Sequence, residues 1–455
     1  MFEIVRNIVF GLAALGVVVF VHELGHFLAA RLVGIKVEAF SIGWGKAIIR
    51  KRVGGVEYRI GAFPAGGYCK MAGETSFEEA WKTGQNNLPQ PEGSYFGASP
   101  WRRIVVAAAG PLFNIIFAAV LFSFIWGLGF EFETMDNRIV LASDSGAEGD
   151  FAAVRAGLKT GDRIVAIDGQ ATGTFHDIQK LVAVSAEKPL IFTVERGSER
   201  LNVEVTPGLQ KDSGAGIIGV YPFTEPVIGA VSSGSAAEEA GLEAGDRIVS
   251  VNGCSVPNTI AIARAFDGAG ELPPRIPVEI ERSGRLIETE ISVPEDEGEN
   301  LGIQWKTFIY HTPRYTPAGA VKKGAGEAMW TLVSTIRGFR LLFRGVDLTK
   351  SVAGPIRITW MAGEAASEGF GERGWAGLRL LANFLAVISI ALGVTNLLPL
   401  PVLDGGAIVL FLIEMAMRRP LHPRVFSVVQ TAGVIIIAGL MIVALTGDVM
   451  FLIRR

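Results

Sequence analysis

The sequence predicts a polytopic α-helical membrane protein of about four spans, with two tandem α+β domains and a membrane-associated β-hairpin. Three observations lead there. Four stretches are long and apolar enough to cross a bilayer, which takes ~20 residues. The segment AAVRAGLKTGDRIVAIDG (152–169) recurs without a gap as AAEEAGLEAGDRIVSVNG (236–253). Between the first two apolar stretches, KAIIRKRVGGVEYRIGAF alternates apolar and polar residues about Gly54–Gly55, a two-residue hairpin signal.

The composition agrees with spans joined to sizeable aqueous parts: of 455 residues, 49% are hydrophobic and 19% charged, with a mean hydropathy of +0.39. A net charge of −3 and the lack of a Lys/Arg block give no case for nucleic acid as a partner. Two cysteines, Cys69 and Cys254, exclude a disulfide framework.

The first apolar stretch runs from about Ile4 to Val33. Arg6 ahead of an apolar run imitates a signal peptide, but no small-residue cleavage site interrupts it, so it reads as retained. The others are IVVAAAGPLFNIIFAAVLFSFIWGLGF, LRLLANFLAVISIALGVTNLLPL and VFSVVQTAGVIIIAGLMIVALTG. Lys36, Lys46, Arg50, Lys51, Arg52, Arg59, Lys70 and Lys82 lie between the first two spans, and Arg418, Arg419 and Arg424 between the last two. Basic loops favour the cytoplasm, which places residues of about 131–375 and both termini outside. Arg454–Arg455 run mildly against this orientation.

The outer region holds the repeat. Downstream of each copy, FTVERGSERLNVEV and VEIERSGRLIETEI share a strand–turn–strand pattern. The doubled A-G-L-x-x-G-D-R-I-V element resembles the signature of bacterial PDZ domains, over most of 131–305. That resemblance implies capture of a peptide at a sheet edge; rigid spacers are the equal alternative. GIIGV (216–220) and LGI (301–303) read as peptide-facing strands, the first assignable to either copy. After the repeats, TPAGAVKKGAGEAMWTLVSTIRGFRLLFRG reads as an amphipathic helix, on the outer membrane surface or against the repeats.

The chemistry sits in HELGH. His22 and His26, four apart, share one helical face, with Glu23 beside it. Unpaired charged or polar groups cost several kcal/mol in lipid, so these residues need partners. Such histidines suit zinc, with the glutamate taking a proton from water. Zinc needs a third protein ligand, and Asp404 in NLLPLPVLDGG (396–406) ends a span at matching depth. Pro399 and Pro401 cannot continue a regular helix, so the backbone is expected to open beside the metal.

HELGH in a first span and NLLPLPVLDGG in a later one resemble the site-2 protease family of intramembrane zinc metalloproteases. FSIGWGKA, GGYCKMAGE and AGPLFN extend the likeness along nearly the whole chain, with Trp44 a mild departure. The resemblance implies one Zn2+ per chain on His22, His26 and Asp404, Glu23 as the catalytic base, and Asn396 with Pro399 and Pro401 as substrate-positioning residues. It implies hydrolysis of peptide bonds within or near spans of single-span membrane proteins already cut on the outer side. Anti-sigma factors in an envelope stress response, and remnant signal peptides, are the implied substrates. The implied location is the bacterial inner membrane, with membrane lipid as surroundings, PDZ-like domains periplasmic and the active site toward the cytoplasm. The alternatives are a membrane-anchored PDZ adaptor with a vestigial metal site, which the intact motifs oppose, and a metal transporter, which would spread polar residues through several spans.

The expected order is therefore a first span with HELGH (1–33), a cytoplasmic-side loop with the hairpin (34–100) and a second span (101–130). Two PDZ-like domains (131–222 and 223–305) and an amphipathic helical region (306–375) follow. A third span (376–403), a cytoplasmic loop (404–425) and a fourth span (426–448) complete the chain.

Overall fold

A computed structural model describes residues 2–74, 92–211, 214–267, 275–292, 301–342, 354–370, 374–419 and 421–453. Lys82 and Arg454–Arg455, used above for orientation, lie outside the described residues. The chain forms two units, Met1–Phe130 with Thr312–Arg455, and Glu131–His311.

The first unit contains α1 (Phe2–Leu32), β1 (Val37–Val53), β2 (Val56–Met71) and α2 (Pro100–Leu128) from the first part of the chain. The second part adds α3 (Pro317–Leu342), α4 (Pro355–Phe370), α5 (Gly374–Asn396), α6 (Asp404–Met417) and α7 (Pro423–Ile453). Four segments are long and apolar enough to span a membrane: Arg6–Leu32, Pro100–Leu128, Gly374–Asn396 and Val428–Met450. Helix α2 is central, with α1, α3, α5 and α6 packed on it. In lipid, small residues let helix backbones approach, and Gly25 of α1 accordingly meets the Ala109 carbonyl of α2.

Two polar ties fix the ends of this bundle. Buried Arg103 at the start of α2 donates to buried Glu414 of α6 and stacks over Phe411 at 4.5 Å. Buried Asp448 of α7 accepts from the amides of Gly354 and Ile356, both at 2.9 Å, capping the start of α4. A buried carboxylate needs such donors.

Two sequence expectations are corrected here. The amphipathic helix within 306–375 is an integral part of the helical bundle. As α3 it packs on α2 and α5, where Ala328 joins the cluster of Ala118, Phe122, Ala386 and Ile390. The supposed loop 404–425 is mostly helix α6. Its apolar run is too short to span, but buries Leu410, Phe411 and Glu414.

Strands β1 and β2 pair antiparallel from Val53↔Val56, around Gly54 (φ 58°) and Gly55 (φ 84°). Left-handed φ at both central residues is what a type I′ turn requires. Both strands then curl. Ala39–Ile42 is flanked by Lys70–Gly67 on one side and Glu57–Ile60 on the other.

The second unit repeats one architecture. The strand order is 170–171, 163–167, 190–196, 199–205 in the first copy and 254–255, 247–251, 275–282, 285–292 in the second. Each copy closes over its own core, around Ile164, Phe192 and Val194 in one and Ile248, Ile276 and Ile280 in the other. The G-D-R element does identical work twice. Arg196 grips Asp162 through two 2.7 Å bonds, and Arg282 grips Asp246 likewise. The owner of GIIGV is settled too, since Ile218 is buried in the first core. An extra ribbon pairs Glu131–Thr134 with Phe308–His311, so 308–311 is strand rather than part of a helical region.

Candidate metal centre

Helical spacing puts His22 and His26 on one face of α1, both buried, and that face meets α2. Three residues of α2 at intervals of four receive them. Val106 offers its carbonyl to His26 Nδ1 at 2.8 Å. Gly110 leaves the space the rings occupy, because a Cβ there would collide with His26 Nε2. Asn114, fully buried, sets its amide 3.2 Å from His22 Nδ1.

The third acid arrives from the far end of the chain. After Asn396 the helix stops, and 397–403 is a loop in which Leu403 N donates to Leu400 O at 3.2 Å. Pro401 and Val402 occupy the centre of that turn, Val402 at φ 81°. Prolines lack an amide donor and suit such a corner. Helix α6 begins at Asp404, whose carboxylate sits in the first turn, where the helix dipole favours a negative charge. Gly405 and Gly406 allow this turn to close, because a Cβ on either would strike the carbonyls of Leu397 or Leu400.

Asp404 Oδ2 stands 3.2 Å from His22 Nε2 and 3.5 Å from His26 Nε2, and the two Nε2 atoms are 3.2 Å apart. Ligand atoms around a tetrahedral zinc, each at ~2.0–2.1 Å, stand about 3.3 Å from one another. His26 Nδ1 donates to a carbonyl, so its Nε2 turns a lone pair into the cluster. Asp404 Oδ2 is buried with no hydrogen-bond partner. Lone pairs facing one another at this range repel unless a proton or a metal cation lies between them, and the donor set fits Zn2+.

Glu23 is half-buried beside this cluster, where β2 crosses it. The Cys69 backbone bonds its carboxylate, and Gly67 leaves room for its Cγ. Burial, then the charges of Glu23 and Glu74, pushes the Cys69 thiol up. Asn396 Nδ2 lies 3.2 Å from His22 Nε2. The structure thus brings together His22, Glu23, His26, Asn396 and Asp404, while Pro401 sits in the turn that delivers Asp404 and Pro399 lies just ahead of that turn.

Sequence reasoning gave no role to Gly110 or Asn114, although it quoted AGPLFN. The available signal was an amide in an otherwise apolar span, a functional hypothesis by default.

Residues 10–440 match the family model described as Peptidase family M50. The chain is 35% identical over 451 residues to a Treponema pallidum (strain Nichols) protein named "Putative zinc metalloprotease", covering 98% of this chain and 99% of that one. It is 32% identical over 474 positions to "Protease RseP" of Yersinia pestis, again covering 98% and 99%. A Vibrio cholerae protein bearing the first of these names is 31% identical over 478 positions, with the same coverage.

Proposed function

The chain belongs to peptidase family M50, zinc metalloproteases of the site-2 type, and on that premise we propose that it cuts peptide bonds within or near the spans of single-span membrane proteins. The observation that carries this reading is the convergence of His22 and His26, within apolar helix α1, with Asp404 at the start of α6 and Glu23 alongside. We assign the zinc to the first three and the proton transfers to Glu23. When bound, zinc acidifies a water and polarises the scissile carbonyl. Glu23 is placed to take a proton from an attacking water and would return it to the leaving amine as the C–N bond breaks. Asn396 is placed to hold a freed backbone group of the substrate, since its amide already reaches the cluster.

A substrate helix hides its amides in internal hydrogen bonds and must unwind before attack. Among the described residues, 67–70 of β2 pairs on one side only, with β1, and lies beside Glu23. Its other edge suits an extended peptide. Trp44, Ile48, Ile49 and Phe63, all exposed, suit contact of this sheet with lipid.

The two repeats are assigned as PDZ-like domains on the periplasmic side of a bacterial inner membrane, with the catalytic cluster toward the cytoplasm. They act as a size filter that admits substrates already trimmed outside, such as anti-sigma factors. A groove of about 460 Å3 in the first repeat is lined by Phe151, Ile178, Val182 and Ile218, with no Lys or Arg among its lining residues. The groove thus supplies no basic side chain to clamp a carboxylate, and on that ground we favour exclusion over capture.

The test is co-expression with a single-span protein, trimmed or untrimmed, with zinc content measured alongside. Trimmed substrate should be cut, and deletion of 131–305 with a short linker should extend cutting to the untrimmed one. Failure to cut any spanning substrate by zinc-loaded protein would overturn the substrate reading. Loss of trimmed-substrate cutting through groove substitutions alone would replace exclusion by capture.

A further inference from the structure

Both ring nitrogens of His22 face side-chain amides. Asn114 Nδ2 lies 3.2 Å from Nδ1, and Asn396 Nδ2 lies 3.2 Å from Nε2. Amide NH2 groups only donate, whereas a neutral imidazole carries one N–H that must itself find an acceptor. Asp404 Oδ2, 3.2 Å from Nε2, could accept that proton only if Nε2 gave up the lone pair a zinc ligand needs, so in a zinc site one of the two amides turns its oxygen to the ring. Two observations choose between them. Asn114 is fully buried and its Oδ1 has no partner, the costly state for a carbonyl oxygen. Turning Asn396 instead would put the ring proton on Nε2, the atom that faces Asp404 Oδ2 and His26 Nε2 and on which the site needs a lone pair.

We propose that Asn114 is the positioning residue of the zinc site: its side-chain oxygen accepts the Nδ1–H of His22 and so holds the Nε2 lone pair on the metal. A half-turn of the amide supplies the oxygen without moving the ring, because the two amide ends are nearly the same size. His26 has the corresponding acceptor in the Val106 carbonyl, so one stripe of α2 fixes both imidazoles. Ser389 Oγ donates to the Asn114 backbone carbonyl at 3.0 Å, which ties this position to α5. Partners of this kind orient a ligating histidine and raise its basicity.

The inference rests on the assignment of His22 as a ligand, so the experiment includes His22→Ala. Purified full-length protein is titrated with zinc against a chromophoric chelator, and the d–d absorption of its Co2+ form is recorded. Asn114→Leu, which keeps the volume and removes the acceptor, should weaken zinc binding by roughly 10–100-fold and alter the cobalt bands. Asn114→Asp, which keeps an acceptor, should bind zinc within a few-fold of wild type. Wild-type affinity and cobalt bands in Asn114→Leu would overturn the proposal, as would equal losses in the Leu and Asp variants. Should Asn114→Leu not fold, Asn114→Ala is judged by the same outcomes. Full zinc affinity in His22→Ala would instead reject the ligand assignment.

Discussion

Gly110 lies against His26 so closely that a β-carbon added to it would meet the Nε2 atom of the ring. The neighbour is a potential metal ligand rather than a flexible chain end, so the clash cannot be relieved without moving the site.

Gly110→Ala should therefore lower zinc content and proteolysis together, while the helices still insert. Zinc per purified chain measures the first effect, at an expected loss of about 10-fold or more. Wild-type zinc content in this variant would show that the rings tolerate displacement.

Glu23→Gln separates binding from chemistry. The amide fits the space of the carboxylate but accepts no proton, so zinc stays and turnover falls by about 100-fold or more. A variant that cleaves at the wild-type rate would remove Glu23 from the reaction.

For Asp404→Asn the expectation differs, because the group provides both an anionic ligand and the charge between two imidazoles. Zinc content and activity should fall in parallel, and Asp404→Ala should do at least as much. Full occupancy with full activity would place the third ligand elsewhere.

Away from the metal, Asp246 and Arg282 offer a test with a defined pH sign. Burial pushes the Asp246 carboxyl up, but the Arg282 hydrogen bonds, the Glu243 amide and the Arg282 charge outweigh it and hold the carboxyl below its usual range. Folding thus favours the ionised form. Its stabilisation is complete above the ordinary carboxylate value of about 3.9 and drains away as the pH falls through the lower folded value. Protection of strand 247–251 against hydrogen exchange, corrected for intrinsic rates, should show that loss. At neutral pH, Arg282→Met should destabilise the second repeat by leaving the buried Asp246 carboxylate without its guanidinium partner. An unchanged protection pattern in the variant would deny the pair its structural role.

The parts legible in the sequence were those with a local period or a composition. The four spans, the doubled G-D-R element, the Gly54–Gly55 turn and the i, i+4 histidines all belong to this class. Asp404 is a candidate from NLLPLPVLDGG at the end of a span, and matching depth along two spans is an independent check on it. What escaped was set by distant partners. Arg103 and Glu414 lie far apart in the chain, and nothing local to either announces the other. Helix α6 was lost for a related reason: it is too short to span, and Arg418–Arg419 after it look like a loop. The curl that places Ala39–Ile42 between two neighbours also lies beyond a reading of simple alternation.

The entry and exit of the second unit are zipped together. Phe130 N donates to Thr312 Oγ1 at 2.7 Å, Thr312 N donates to Phe130 O at 2.8 Å, and the ribbon 131–134/308–311 continues the closure. This has a consequence for biogenesis. The histidines are synthesised long before Asp404, and a nascent chain holding only α1 and α2 possesses half a site. Once the intervening segment folds, its joined ends deliver α3 to the end of α2. The remaining helices then search as though joined by a short loop, and much of the closure entropy of a long one has already been met. A chain whose ribbon is broken should therefore acquire its zinc late, even where the finished enzyme is unchanged.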